Sequence, residues 1–273
     1  MSGVGTPTIL TNPSSQRVSR VAGLARKSAR TRRQQFLVEG PQGVREAVRF
    51  APGRVRDVYM TQEAAGRHSR TWEEARAAGI YTHLVSADVM AAMSTNSQGV
   101  LAVARTEEVC GAQALAAALE GATLVAVLTE AQDPGNAGTI IRTADAAGAD
   151  TVVLVRGSVD STSPKVVRAT AGSLFHLPVV TAGALGDVVA ALREAGLTVL
   201  AADGRGTLDL FNAGAVLTVP TAWLLGNEAH GLTPEALSCA DAVVSIPIHG
   251  RAESLNVAAA AALCLYASAR AQR

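Results

Sequence analysis

Residues 123–148 read TLVAVLTEAQDPGNAGTIIRTADAAG, and this stretch decides the fold class. Thr123–Thr129 is apolar almost throughout, the pattern of a strand buried on both faces of a parallel sheet. Pro134 and Gly135 break the run with a turn, and Asn136 stands where a helix cap belongs. A helix over 136–147 follows, with Arg142 six residues after the cap. Strand, tight turn and helix in that order make an α/β unit. The pattern continues with strands over 151–155, 177–181, 197–202, 221–226 and 242–247. Helices are expected over 164–174, 185–195, 233–239 and 254–270. The C-terminal region, 121–273, therefore reads as a parallel-sheet α/β domain.

The N-terminal region has a different character. Residues 1–16 are rich in Ser, Thr, Pro and Gly and read as a flexible N-terminus. A basic helix candidate follows, carrying Arg17, Arg20, Arg26, Lys27, Arg30, Arg32 and Arg33 with no acid until Glu39. The order β-α-β-α-β-α-β then runs to about Arg105, which predicts a smaller α/β domain over 17–106 and a linker over 107–120. Residues 1–110 hold 15 Lys and Arg against 9 Asp and Glu, whereas residues 111–273 hold 9 against 14. A basic half facing a polyanion explains that asymmetry better than the net charge of +1 suggests.

Composition excludes several classes. The chain is 48% hydrophobic but only 3% aromatic, so Ala, Val and Leu must fill its core. Five scattered histidines without H-x-x-x-H spacing argue against a metal site. Three cysteines without C-x-x-C spacing fit a reducing cytoplasm. The N-terminus has no basic region leading into an apolar run, so it does not read as a signal peptide. No long uncharged stretch reads as membrane-spanning. No G-x-G-x-x-G follows a strand, which disfavours a dinucleotide-binding oxidoreductase.

Two further stretches carry chemistry. LLGNEAHGL (224–232) is an apolar strand ending in Gly-Asn-Glu, where Gly226 lets a ligand approach the backbone. SIPIHGRAESLNVA (245–258) stops a strand at Pro247 and opens a long helix at Ser254-Leu255-Asn256. Gly-bearing loops at strand C-termini suit a small-ligand crevice. Each residue alone has a plainer reading. Asn136, Ser254 and Asn256 are good helix caps, and Glu228 and Arg142 are ordinary surface charges. However, Arg142 sits among Ile140, Ile141 and Ala144, which would lay its stem on apolar surface and leave its head in need of an anion.

Taken together, these three segments resemble the motifs of the SpoU/TrmH family of S-adenosylmethionine-dependent RNA ribose 2′-O-methyltransferases. The resemblance covers residues 121–273. It extends more weakly to FLVEGPQGVREA (36–47) and MSTNSQGVLAVAR (93–105), which are similar to the substrate-binding domain of rRNA-directed members. It implies a deep trefoil knot in the C-terminal domain, a homodimer, and S-adenosylmethionine as cofactor. It also implies that Asn136, Arg142, Glu228, Ser254 and Asn256 are catalytic. Leu225, Gly226, Ile246, Pro247, Leu255 and Asn256 would hold the cofactor, largely through backbone. The basic stretch with Arg26, Lys27, Arg30, Arg32 and Arg33 would bind RNA, expected to be rRNA. A tRNA methyltransferase and a non-catalytic RNA-binding protein are the alternatives. For Arg142, the family proposal of a phosphate-assisted base stands beside an electrostatic clamp on alkoxide and phosphate.

Overall fold

The computed structural model describes residues 9–107 and 110–273 and divides them into two compact units. The first unit carries a four-stranded sheet of β1 (Gln35–Glu39), β2 (Val55–Thr61), β3 (Tyr81–Val85) and β4 (Val100–Arg105), ordered β1-β4-β2-β3. β1 and β2 run antiparallel to β4, and β3 runs parallel to β2. One face of this sheet packs Leu37, Tyr59, Val85, Leu101 and Val103 against Val18, Val21 and Leu24 of the basic segment and Val89, Met90 and Met93.

The basic segment is not one helix. It breaks into Gln16–Ala22, a short 3₁₀ turn Gly23–Ala25, and Lys27–Arg33. The helical stretch between β2 and β3 also breaks at His68, into Gln62–Arg67 and Ser69–Ala77. Of the N-terminus read as flexible, residues 1–8 lie outside the described residues. Leu10 is held on β3: its N–H donates to the Leu84 carbonyl and its carbonyl accepts from Ser86 N–H, both at 2.9 Å.

The second unit carries the large parallel sheet. Its strands are β5 (Leu124–Leu128), β6 (Thr151–Leu154), β7 (Val179–Thr181), β8 (Thr198–Ala202), β9 (Leu208–Asp209), β10 (Thr221–Leu225) and β11 (Ala242–Ser245). Their order is β7-β6-β5-β10-β8-β11-β9, with every pairing parallel. β5 and β10 are buried at every position, which accounts for their unbroken apolar sequences. The last helix, Val257–Ala271, is fixed to β10 by a buried hydrogen bond of 2.9 Å from the Trp223 indole to the Ser268 hydroxyl.

Two features depart from the sequence reading. β9 has only two residues and follows β8 in the chain, yet β11 lies between them. The connection passes over β11 so closely that a Cβ on Gly206 would stand 2.7 Å from Val243 O and Ser245 N. Only glycine fits there. Second, residues 162–175 pack with the first unit, although the chain places them between β6 and β7. The helix Pro164–Ala169 ends early, Ala171 takes a left-handed φ of 52°, and a 3₁₀ turn Ser173–Phe175 follows. The reason is non-local. Phe175 stacks on Phe36 at 6.3 Å, Arg54 lies over both rings, and Arg168 pairs with Glu39, which also accepts from the Ser94 hydroxyl.

Candidate active site

The site forms at the C-terminal ends of β5, β10 and β11, where three loops meet. The first loop, 129–133, leaves β5 and enters the helix Pro134–Ala147. Asn136 does not cap that helix. Asp133 does, its Oδ1 accepting from Asn136 N–H at 2.8 Å. Asp133 precedes a proline, which favours extended backbone at that position and supplies a natural helix start. Asn136 is thereby placed in the first turn with its side chain free to act elsewhere.

The second loop, 226–231, closes on itself through reciprocal bonds of Asn227 and Gly231, 3.0 and 2.9 Å. It clasps the first loop at three points. Thr129 gives both its N–H and its hydroxyl to the Leu225 carbonyl, at 2.9 and 3.0 Å. Asn227 Nδ2 donates to the Glu130 carbonyl at 2.8 Å, where Glu130 holds a left-handed φ of 54°. The Glu228 carboxylate accepts from Gln132 and Asp133 N–H, at 3.2 and 3.1 Å. A carboxylate holding two backbone donors at a helix entry is favoured by the charge of the acceptor and by the helix dipole.

Gly226 is glycine for a different reason from the one its sequence suggests. A Cβ there would stand 2.4 Å from Gly231 C and 2.6 Å from Leu232 N, so the loop's own backbone needs the space. Leu225 is buried and its carbonyl is taken by Thr129, so it forms part of the floor.

The third loop, 246–256, joins β11 to the last helix. The helix starts at Val257, three residues later than expected, and Asn256 caps it by accepting from Ala258 N–H at 2.9 Å. Ser254 is exposed in the loop and caps nothing. Asn256 does a second job: its Nδ2 donates to Asn136 Oδ1 at 3.1 Å. One side chain thus ties together the first turns of two helices 120 residues apart. Ile246, Pro247 and Leu255 line a cleft of about 430 Å³ with Phe211, Ile248 and Leu263.

Arg142 is exposed on the helix Pro134–Ala147 and is not joined to Asn136. At about 100° per residue, six positions put it about 120° around the helix from Asn136. Its exposure leaves the guanidinium open to an anionic partner. Arg30 also departs from its assigned role. It is 5% exposed, and its guanidinium donates to the Leu24 and Ala25 carbonyls at 3.1 and 2.8 Å, clamping the 3₁₀ turn. Arg33 is half-buried and bonds the Arg20 carbonyl at 3.1 Å. Arg26, Lys27 and Arg32 remain exposed. Thr129, Asn227, Gln132 and Asp133 were not singled out in the sequence. Only the Asp-Pro pair gave a signal, as an N-cap before a helix-starting proline.

The chain as a whole is similar to known proteins. Residues 123–266 match the SpoU rRNA Methylase family, and residues 15–102 match the MRM3-like substrate binding domain. The chain is 36% identical to the 23S rRNA (guanosine(2553)-2′-O)-methyltransferase RlmP of Bacillus subtilis, over 92% of this chain and 95% of that one. An AdoMet-bound rRNA methyltransferase from Sinorhizobium meliloti superposes with a TM-score of 0.79 at 31% identity, covering 97% of this chain and 98% of that one. The SpoU methyltransferase AviRb of Streptomyces viridochromogenes, in complex with the cofactor AdoMet, superposes at 0.78 and 31%, covering 94% and 98%. The chain belongs to the SpoU rRNA methylase family.

Proposed function

We propose that this protein transfers a methyl group from S-adenosylmethionine to a ribose 2′-hydroxyl of 23S-type rRNA. The observation that carries the reading is the Asn136–Asn256 bridge in a three-loop site that lies wholly within the stretch matching the SpoU family. The cleft beside it fits the cofactor, because apolar Ile246, Pro247 and Leu255 suit an adenosine ring while the loop backbone supplies donors and acceptors. When bound, the cofactor supplies an electrophilic methyl on a sulfonium.

The chain's own residues have the remaining work. Asn136, fixed by Asn256, orients the ribose. Glu228 holds the loop that presents Asn136. Ser254 shapes the approach to the cleft. A guanidinium stays protonated near neutral pH and is a poor base, so Arg142 acts best by stabilising a developing 2′-alkoxide and gripping the adjacent phosphate. Arg26, Lys27, Arg32 and Arg33 would draw the RNA to the first unit.

Three finer points belong to the same reading. β11 lies beneath the β8–β9 connection, and Gly206 is shaped to that crossing, which supports a trefoil knot in the C-terminal domain. Phe211 is 62% exposed beside Ile248, Leu255 and Leu263, and Tyr266, 52% exposed, lies three residues after Leu263 on the last helix; this apolar surface supports a homodimer. Free cysteines and an rRNA substrate support a cytoplasmic location. Tritium transfer from labelled S-adenosylmethionine to unmodified 23S rRNA tests the activity. Transfer to tRNA but not to rRNA would replace the substrate, and no transfer with no saturable cofactor binding would leave a binding module.

A further inference from the structure

We propose that Tyr81 is a stacking platform for an unpaired nucleobase of the RNA substrate, with Arg17 holding the adjoining phosphate. This rests on the RNA reading above and adds a contact outside the basic stretch. Aromatic residues are scarce in this chain, yet Tyr81 stands 69% exposed at the start of edge strand β3. Strand alternation puts Tyr81, His83 and Val85 on one face. Val85 is in the core beneath the helix Gln16–Ala22, His83 lies at its margin, and Tyr81 projects beyond it.

The margin is built rather than incidental. The His83 ring stacks on Tyr59 at 4.8 Å and 25°. Its Nε2 is 2.9 Å from Asp57 Oδ1, and its Nδ1 is 3.2 Å from an Arg17 guanidinium nitrogen. A guanidinium has only donors, so Nδ1 must be the acceptor and the ring proton must sit on Nε2, donated to Asp57. Asp57 therefore orients His83, and His83 orients Arg17. Arg17 is otherwise exposed, and among the described residues His83 is the hydrogen-bond partner of its guanidinium. Arg56 lies 3.4 Å from Asp57 and adds a second cation.

The occupant follows from charge and shape. Residues 1–110 carry an excess of six positive charges, and Tyr81 pairs across the strands with Asp57 and shares its face with His83, both polar. A protein interface would need an apolar patch there. Unpaired RNA bases, in contrast, stack on isolated aromatic rings beside arginine.

Full-length Tyr81→Ala, Tyr81→Phe and Arg17→Gln variants test this, with a short unstructured RNA carrying 2-aminopurine and a blunt RNA duplex as probes. Tyr81→Ala is expected to lose roughly 5- to 150-fold in affinity for the unpaired RNA, together with the quenching of 2-aminopurine. Its duplex affinity, salt dependence and cofactor affinity should match wild type. Tyr81→Phe keeps the ring and should bind normally. Arg17→Gln should lower the salt slope by about one counterion. Wild-type affinity in Tyr81→Ala overturns the platform and leaves the face to a protein partner. Equal losses for single strand and duplex, or equal losses in the Ala and Phe variants, also overturn it. A wild-type protein that binds neither RNA in a salt-dependent way would instead overturn the RNA reading itself.

Discussion

Asn256 is the residue whose replacement separates the parts of this site most cleanly. Its Oδ1 caps the last helix at 2.9 Å, and its Nδ2 bridges to Asn136 at 3.1 Å. Losing a cap costs about 1 kcal/mol, and losing an ordinary hydrogen bond costs about as much. Asn256→Ala removes both, so about 2 kcal/mol of stability should be lost. In a unit of this size that lowers Tm by about 4–8 °C. Asn256→Ser keeps a capping oxygen but cannot reach Asn136, so it should lose about 1 kcal/mol, or 2–4 °C. Activity should not follow stability. Both variants release Asn136, and a misplacement of about 1 Å costs on the order of 100-fold, so both should lose about 10- to 100-fold in methyl transfer. Differential scanning calorimetry and tritium transfer read the two effects separately. Asn136→Ala should add little to Asn256→Ser in a double-mutant cycle, because the two act as one unit. An Asn256→Ser enzyme with wild-type turnover would refute the bridge as a positioning device. An Asn256→Ser melting point as low as that of Asn256→Ala would refute the assignment of the cap.

Arg30→Met should cost about 2–4 kcal/mol in a denaturant titration, because two carbonyls lose a charged donor. Replacing Arg26, Lys27 and Arg32 by Gln should barely change stability but should weaken RNA binding and flatten its salt dependence. If stability falls equally in both cases, Arg30 is not the clamp. Gly226→Ala should destabilise the second unit as well as cofactor binding, since its Cβ meets the Gly231–Leu232 backbone. A stable Gly226→Ala protein lacking only cofactor affinity would restore the ligand-approach reading. Burial pushes the Cys264 thiol up to about 12, so it should resist alkylation at mildly alkaline pH until the protein unfolds. Rapid labelling of the native protein at Cys264, located by mass spectrometry, would contradict that burial.

The sequence carried the strands well because their signals are local. Apolar runs at 124–128 and 221–225 can only be central strands, and Pro-Gly and Gly-Asn-Glu breaks mark their ends. What it hid was decided by distant partners. Asn136 and Asn256 both read as caps, and only the fold shows that Asp133 caps the first helix and frees Asn136 for Asn256. Arg30 sits in a basic run and looks like its neighbours until the 3₁₀ turn folds around it. Residues 162–175 read as one more helix of the α/β repeat, whereas Glu39, Phe36 and Arg54 draw them into the first unit. Gly226 invited a ligand explanation, and the space is needed by a backbone five residues away. β9 is too short to leave a periodic trace.

If this chain methylates a ribose of 23S-type rRNA through Arg142, the modification depends on both the gene and that arginine. The most direct test maps 2′-O-methyl groups across 23S rRNA from cells lacking the gene and complemented with wild type, Arg142→Ala or Arg142→Lys. A single 2′-O-methyl should vanish without the gene and return with wild type. It should stay absent with Arg142→Ala and return only weakly with Arg142→Lys, because lysine lacks the planar fork that grips a phosphate. Full methylation by Arg142→Ala would make Arg142 an ordinary surface charge. An unchanged 23S map in cells lacking the gene would contradict the rRNA assignment altogether.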